Sequence, residues 1–298
     1  MTELTLARPP ARIQRIAYLG TPDVAVEPLR ALVAAGFEVA VVVSGADKRR
    51  GRGSESSPSP VKAAAIEMGL AVSDQLDDVL NATVDLAVVV AYGRIIPVTV
   101  LEHVPMINIH FSLLPRWRGA APVERALLAG DAETGVSLMD IGVELDTGDV
   151  YAESRTEIAS NDTLTTLRER LVQMGATLLV DSLKQGLPDP QPQTGEVTYA
   201  KKISSADLNI DWARAASDVD RLVRLGGAWT TFRGTRLKIH EVSVVSGQGM
   251  PGSVDGLVVA CGEGAVELLV VQPEGKAKQE ANSWKNGARV TSTDRLGQ

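Results

Sequence analysis

Three largely apolar runs constrain the fold of this chain more than any other feature. Residues 13–20 read IQRIAYLG, residues 39–44 read VAVVVS and residues 86–91 read LAVVVA. Helical segments predicted at 24–35 and 61–68 separate them. Strands buried on both faces lose polar alternation, and strands joined by helices are typically parallel neighbours. The pattern therefore predicts an α/β domain built on a Rossmann-like parallel sheet.

A fourth run, MINIHF at residues 106–111, is expected to extend the sheet, and Pro122 suits the first turn of a helix at 122–129. The first strand is followed by Gly-Thr-Pro-Asp at 20–23, where a dinucleotide site requires G-x-G-x-x-G. The sequence therefore gives no support to NAD binding.

The sequence changes character near residue 188. Residues 188–195 read PDPQPQTG, which indicates an extended linker. Beyond it, β-rich runs at 237–245, 257–261 and 266–271 are separated by glycine turns, which is typical of a small β-barrel or sandwich. The predicted domains are a Rossmann-like catalytic domain at 12–187, a linker at 188–203 and a C-terminal OB-like β-barrel at 204–298.

Charge is distributed unevenly along the chain, whose formal net charge is −7. Residues 1–200 carry 17 basic and 26 acidic side chains, whereas residues 201–298 carry 13 and 11. The acidic total argues against indiscriminate binding to polyanions. Four cations nevertheless lie within residues 48–52. On composition alone this segment is a solvated loop, and the C-terminal part is a structural appendage or a polyanion-binding domain.

The sequence also bears on the compartment. No apolar run approaches the roughly 20 residues that a membrane span needs, and the first 15 residues are too polar for a signal peptide. Cys261, the single cysteine, cannot form an intrachain disulfide. We expect a cytoplasmic protein with no membrane partner, working as a monomer.

Asn108 and His110 are the most informative polar pair. Being two apart in a predicted strand, they project from one face and can converge on one atom. Such a pair is commonly structural, but the following segment 112–115 leaves the strand at the edge where open α/β sheets bind ligands. The acidic loop 140–149 can supply a carboxylate to His110, and it lacks the spaced ligands of a calcium site.

Several motifs together resemble a known family. Residues 108–122 read NIHFSLLPRWRGAAP, with Thr-Gly-Val at 134–136 and Leu-Asp-Thr-Gly-Asp at 145–149. With Gly-Thr-Pro at 20–22 and Pro-Ser-Pro-Val-Lys at 58–62, they are similar to the 10-formyltetrahydrofolate-dependent formyltransferases over nearly the whole chain. The segment from Asn108 to Pro115 with the later Asp146 is shared by all such transferases. PRWRGAAP and SPSPVK favour the branch that acts on tRNA.

The resemblance implies a catalytic trio of Asn108, His110 and Asp146. When an amine attacks a formyl carbon, negative charge develops on the carbonyl oxygen, and the Asn108 amide and a protonated His110 are donors suited to that oxygen. A carboxylate such as Asp146 favours the protonated imidazole and can accept the proton that the amine loses. This chemistry requires no metal.

The resemblance also implies binding residues for 10-formyltetrahydrofolate, the formyl donor and co-substrate, along the carboxyl edge of the sheet. They are Tyr92, Arg94, Ile95, Ile96, Ser112, Leu113, Leu114 and Pro115. For Leu113 and Leu114, ordinary core packing is the alternative interpretation, and both roles are compatible. The basic segment is implied to become ordered against the tRNA acceptor arm, with phosphate contacts from Lys48, Arg49, Arg50 and Arg52.

The expected reaction moves the formyl group to the α-amine of methionyl initiator tRNA, a step of translation initiation, while the C-terminal barrel helps to hold the tRNA. Two alternatives remain open: an enzyme that formylates an amino sugar on a nucleotide with the same trio, and a folate- or RNA-binding relative without catalysis. The chain departs from the family at 225–229, where LGGAW is shorter than usual.

Overall fold

The computed structural model describes residues 6–49 and 56–298. The chain divides into two compact units. Unit 1 comprises Met1–Pro122, Glu133–Glu157 and Arg168–Ala200, and unit 2 comprises Val123–Ala132, Ile158–Leu167 and Lys201–Gln298. The predicted linker residues up to Ala200 therefore group with the sheet of unit 1. In the described ranges, no helix combines the length and hydrophobicity needed to cross a membrane.

Unit 1 is built on a seven-stranded sheet. The described strands of unit 1, which include those of this sheet and of two short pairs, are β1 (Arg15–Gly20), β2 (Glu38–Val43), β3 (Lys48–Arg49), β4 (Ser56–Ser57), β5 (Val72–Ser73), β6 (Leu86–Val90), β7 (Met106–His110), β8 (Arg118–Gly119), β9 (Glu133–Asp140), β10 (Val150–Glu157) and β11 (Tyr199–Ala200). The large sheet has the order β10-β9-β7-β6-β1-β2-β5. The run from β7 to β5 is parallel, whereas β9 is antiparallel to both β7 and β10. The predicted Rossmann-like sheet is confirmed, with an antiparallel pairing added at one edge.

Local signals explain several helices. The α-helices are α1 (Val26–Ala34), α2 (Pro60–Glu67), α3 (Asp78–Asn81), α4 (Val98–Leu101), α5 (Pro122–Ala129), α6 (Leu164–Gln185), α7 (Ala216–Leu225) and α8 (Ala281–Ala288). At α2, the Ser59 hydroxyl accepts the Lys62 N–H at 3.0 Å and Pro60 occupies the first turn. The SPSPVK motif thus contains a helix cap. The predicted helix at 122–129 is confirmed as α5.

The 22-residue helix α6 covers one face of the sheet. A Cβ on Gly175 would lie 3.0 Å from the Ile109 Cγ2 atom, so α6 packs closely against β7 on the face from which Ile109 projects. Because side chains alternate along a strand, Asn108 and His110 project from the other face. The packing of α6 therefore leaves the polar face of β7 for the site.

Unit 2 contains a small antiparallel β domain, as predicted. Its strands are β12 (Trp229–Phe232), β13 (Thr235–Val245), β14 (Val254–Asp255), β15 (Val258–Ala260), β16 (Ala265–Pro273) and β17 (Gln279–Glu280). They follow the order β12-β13-β16-β15-β14, with β17 on β16. The chain end joins the two edges, because Leu296 bridges Phe232 at β12 and Arg295 bridges Ser253 beside β14. This closure gives the sheet its barrel character.

The connection at 225–229 contains a glycine turn. Gly226 and Gly227 have φ angles of 89° and 79°, a left-handed region that favours glycine. They join the end of α7 to the start of β12 at Trp229. The two glycines therefore allow the short connection between α7 and β12.

Candidate active site

The candidate site is centred on the carboxyl end of β7. Asn108 lies between Val89 of β6 and Met139 of β9, and His110 is the last residue of the strand. The His110 side chain is only 6% exposed. Asn108 is half-buried, and within the described ranges its side-chain amide has no hydrogen-bond partner. The strand therefore presents one buried imidazole and one uncommitted amide on the same face.

The His110 ring lies between two protein groups. Its Nε2 is 2.8 Å from the Trp117 carbonyl oxygen, and its Nδ1 is 3.7 Å from Asp146 Oδ2. A carbonyl only accepts, so Nε2 carries the hydrogen, and Nδ1 faces the Asp146 carboxylate. The 3.7 Å separation exceeds a hydrogen bond. The Nδ1 atom is thus available to a substrate group at this edge.

Asp146 reaches His110 through a loop that folds back along the sheet. Because β9 is antiparallel to β7, Asp140 at its end lies opposite Ile107, away from His110. The loop at 141–149 returns the chain, and Asp146 adopts a left-handed φ of 51°, which is uncommon for a non-glycine residue. Its Oδ2 accepts the Gly119 N–H at 2.7 Å. The side chain is 14% exposed, so a charge-assisted bond holds a nearly buried carboxylate.

The two ends of this loop are tied together. The Asp140 N–H donates to the Asp149 carbonyl at 2.8 Å, and the Tyr151 hydroxyl donates to Asp140 Oδ1 at 2.6 Å. Burial raises the pKa of Asp140 above its ordinary value. A Cβ on Gly148 would collide with the Asp140 carbonyl oxygen. The close return of the chain therefore requires glycine at position 148.

Residues 117–119 contact both His110 and Asp146, and they are hydrogen-bonded in turn to residues 198–200. The Trp117 N–H donates to Thr198 Oγ1 at 2.8 Å and the Arg118 N–H donates to the Thr198 carbonyl at 2.9 Å. Strand β8 then pairs in parallel with β11. The sequence did not predict that residues 198–200 support the site, since they were interpreted as part of a linker.

Comparison with known proteins now decides the family. Residues 14–183 match the sequence profile of the family described as formyl transferase, and residues 202–289 match that of the formyl transferase C-terminal domain. The chain belongs to the formyl transferase family. The resemblance inferred from the motifs is therefore confirmed.

Named relatives cover nearly the whole chain. Methionyl-tRNA formyltransferases of Paracoccus denitrificans and Ruegeria pomeroyi are 48% and 44% identical to it, over 95% of this chain and 99% and 100% of theirs. Among solved structures, an N-formyltransferase from Helicobacter canadensis, in complex with folinic acid and dTDP-3-aminofucose, has a TM-score of 0.67 at 18% identity, over 86% of this chain and 99% of that one. Methionyl-tRNA formyltransferase from Clostridium thermocellum has a TM-score of 0.55 at 16% identity, over 78% and 93%. The structures establish a shared fold.

In this formyl transferase, the loop after β6 carries four of the residues predicted to bind folate. Tyr92 is buried, which raises its pKa, and its hydroxyl has no hydrogen-bond partner within the described part of the chain. The Arg94 guanidinium lies 5.7 Å from the centre of the Tyr92 ring. Ile95 is 94% exposed, whereas Ile96 packs against the core. Ile95 is therefore the member that offers open apolar surface.

The other four predicted folate residues follow β7. The Ser112 hydroxyl donates to the Arg116 carbonyl at 2.6 Å, while its own carbonyl accepts the Ser137 hydroxyl at 2.8 Å. Leu114 is buried and its peptide bond to Pro115 is cis. Leu113 is half-buried. Ser112 and Leu114 thus shape the segment, and folate contact by these four residues stays a prediction.

The basic segment begins as a short hairpin. Strands β3 and β4 pair antiparallel, with Lys48 opposite Ser57 and Arg49 opposite Ser56. At its base, the Lys62 ammonium lies 2.6 Å from Asp47 Oδ1. Two of the predicted tRNA-binding residues, Arg50 and Arg52, fall outside the described residues.

No group of three or more His, Cys, Asp or Glu side chains that could hold a metal ion occurs in ranges 6–49 and 56–298. Among the described residues, the carboxylate paired with the predicted catalytic histidine is that of Asp146. The other histidines have separate partners, since His103 Nδ1 lies 2.8 Å from the Thr99 carbonyl and His240 Nε2 lies 3.0 Å from Gln272 Oε1.

Proposed function

We propose that the protein transfers the formyl group of 10-formyltetrahydrofolate to the α-amine of methionyl initiator tRNA. The observation that carries the proposal is the convergence of His110 and Asp146 beside the uncommitted amide of Asn108. Relatives named methionyl-tRNA formyltransferase, 39–48% identical over most of their length, support the choice of acceptor.

In the first step, the amine nitrogen attacks the formyl carbon. A C–N bond forms while the electron pair of the C=O double bond moves to oxygen. Asn108 and the Nδ1–H of His110 donate to this oxygen, and the buried, hydrogen-bonded position of His110 means that its ring needs little reorganisation as charge develops. Binding of the transition state rather than the ground state is therefore their main contribution.

In the second step, Asp146 takes a proton from the positively charged amine nitrogen. Its Oδ2 is engaged by Gly119, whereas Oδ1 has no hydrogen bond from any described residue, so Oδ1 is the better placed acceptor. The proton then passes to N10 of the folate as the C–N10 bond breaks. The products are formylmethionyl-tRNA and tetrahydrofolate, and the proton lost by the amine ends on N10.

The co-substrate is proposed to lie along the carboxyl edge, with Ile95 as part of an apolar wall for its flat ring and Asn108 near its formyl group. An apolar wall with a few fixed polar groups is the usual composition of such a pocket. The trio supplies both the oxyanion donors and the proton acceptor, so the proposal includes no metal. It also includes the cytoplasm as the compartment and a monomer as the working form.

The tRNA is proposed to contact the basic segment and the barrel of unit 2. Lys48, Arg49, Arg50 and Arg52 would bind phosphates of the acceptor arm, since guanidinium groups suit phosphate oxygens. The support for this assignment is the cluster of four cations in an otherwise acidic part of the chain. Such contacts position the acceptor without reading its sequence.

The deciding experiment offers labelled formyl-folate together with three acceptors: charged initiator tRNA, charged elongator tRNA and an amino-sugar nucleotide. We expect the label on methionyl initiator tRNA. Formylation of the amino sugar instead would establish the sugar-modifying alternative, and no transfer to any amine would establish a binding protein without catalysis.

A further inference from the structure

Gln193 connects two parts of the active-site framework through one side chain. Its Nε2 lies 2.9 Å from the Asp146 carbonyl oxygen and 2.7 Å from the Gly148 carbonyl oxygen. Its Oε1 accepts from Arg118 Nε at 3.0 Å and Nη2 at 2.6 Å. Gln193 lies in the segment that the sequence indicated as an extended linker, 47 residues after Asp146.

The orientation of this amide is fixed by its neighbours. A guanidinium only donates and a backbone carbonyl only accepts, so Oε1 has to face Arg118 and the NH₂ group has to face the loop. Both amide hydrogens and two acceptor positions are used. A carboxylate at position 193 could keep the contact with Arg118, but it could not donate to the two carbonyls.

These contacts close a ring around the proposed proton acceptor. Gln193 holds the main chain at Asp146 and also the side chain of Arg118, and the next residue, Gly119, donates its N–H to Asp146 Oδ2. Asp146 has a left-handed backbone and lies in a loop that must fold back to reach His110. Such conformations persist where surrounding contacts over-determine them. The Gln193 carboxamide therefore supports the Asp146 carboxylate in two ways, through the main chain of its own loop and through Arg118 next to Gly119.

We propose that Gln193 is a positioning residue for formyl transfer: its carboxamide fixes the turn at 146–148 so that the Asp146 carboxylate stays beside His110. The inference rests on the proposed function. It assigns a role in the chemical step to a segment of unit 1 that the sequence indicated as an extended linker.

The test compares Gln193→Ala and Gln193→Glu with matched changes at Gln191. The Gln191 side chain is exposed and donates to the Asp189 carbonyl, so Gln191→Ala and Gln191→Glu serve as controls. We expect both Gln193 variants to lower kcat by about 10- to 100-fold, as misplacement of a reacting group does, with KM for formyl-folate and for the charged tRNA nearly unchanged. Wild-type kcat in Gln193→Glu, or a change confined to KM, would overturn the proposal.

A double-mutant cycle separates positioning from general weakening of the fold. If Gln193 acts through Asp146, then Gln193→Ala should add little to the loss caused by Asp146→Ala in single-turnover assays, because residues acting as a unit are not additive. An undiminished effect of Gln193→Ala in the Asp146→Ala background would contradict the proposal. Thermal unfolding of every variant checks that each one is folded.

The Gly119 amide proton gives a readout that needs no substrate. Its bond to the Asp146 carboxylate is short and charge-assisted, so its NMR resonance should move in both Gln193 variants and stay in place in the Gln191 variants. An unmoved resonance in Gln193→Glu would count against the inference. Inactivity of the wild-type protein with every acceptor would instead refute the proposed function, so the two failures are distinguishable.

Discussion

The end of β7 and the hairpin of β3 and β4 hold their polar residues in different ways. At β7, His110 is nearly buried, both of its ring nitrogens face protein groups, and Asp146 is fixed by a backbone N–H. The sequence of the basic segment groups four cations within residues 48–52, and the ion pair between Asp47 and Lys62 at the base of the hairpin is partly exposed. Fixed donors stabilise a transition state, whereas clustered charges attract a polyanion according to their number. Substitutions at the two regions should therefore change different measured quantities.

The largest effect is expected at His110. His110→Ala removes a donor to the developing oxyanion, and loss of one such donor typically lowers kcat by about 100- to 1,000-fold. Folate affinity should change little, because the interaction strengthens only in the transition state. Steady-state kinetics and equilibrium titration with formyl-folate measure the two quantities.

His103→Ala is the matched control for this prediction. His103 is exposed, and its ring is hydrogen-bonded to the carbonyl of Thr99, four residues earlier. Replacing it should therefore leave kcat unchanged. A His110→Ala enzyme that turns over within a few-fold of the wild type would remove His110 from the proposed mechanism.

The second effect is on tRNA binding. Replacement of Arg49, Arg50 and Arg52 by alanine should weaken binding and reduce the slope of log affinity against log salt by about one to three units, since each neutralised phosphate contributes about 0.9 on a duplex. Folate binding and the rate with bound tRNA should be retained. Filter binding over a range of salt concentrations provides the measurement.

The control removes three positive charges elsewhere on unit 1, at Arg30, Arg155 and Lys184. It gives the same net charge as the hairpin variant, so it separates a local phosphate contact from the overall field of the protein. Equal changes in salt slope for both variants would mean that the hairpin contributes no specific contact.

The two regions also differ in how far the sequence predicts them. Asn108 and His110 share a face because alternation along a strand is local, and α5 begins at Pro122 because proline suits the first turn. The approach of Asp146 to His110 depends on the antiparallel β9 and a folded-back loop, which no local pattern specifies. Family resemblance supplied Asp146 as a candidate, whereas the contacts of Gln193 required coordinates.

Helix α6 was missed although a signal for it exists. Leu171, Leu179 and Leu183 are buried at intervals that fit one helical face, and the helix runs for 22 residues. Gly175 within it weakens the pattern, since glycine is a poor helix former. The close approach of the helix to Ile109 explains that glycine in terms of packing, which the sequence alone does not specify.

A smaller effect is expected from Gly148→Ala. The added Cβ would meet the Asp140 carbonyl oxygen, a backbone atom that cannot move without shifting β9, and overpacking of this kind costs about 1–3 kcal/mol. Gly142→Ala, in the same loop, meets its nearest atom at 3.7 Å and should change the free energy of unfolding by less than about 0.5 kcal/mol. Denaturant unfolding compares them. Equal free energies of unfolding for the two variants would show that the main chain at Gly148 does not have to lie so close to Asp140.

The smallest effect is expected from chelation. It tests whether the chemical step at the end of β7 needs a divalent cation, as distinct from the need of the bound tRNA for one. Asn108 and His110 are proposed to stabilise the oxyanion and Asp146 to take the proton, so the chemical step should keep its rate in EDTA. The folding of tRNA depends on magnesium, and spermidine is therefore included to separate that requirement from catalysis. Single-turnover transfer with saturating enzyme should then be unchanged. If EDTA abolished transfer and one divalent ion restored it while the tRNA stayed folded, the trio would be an incomplete account of the site.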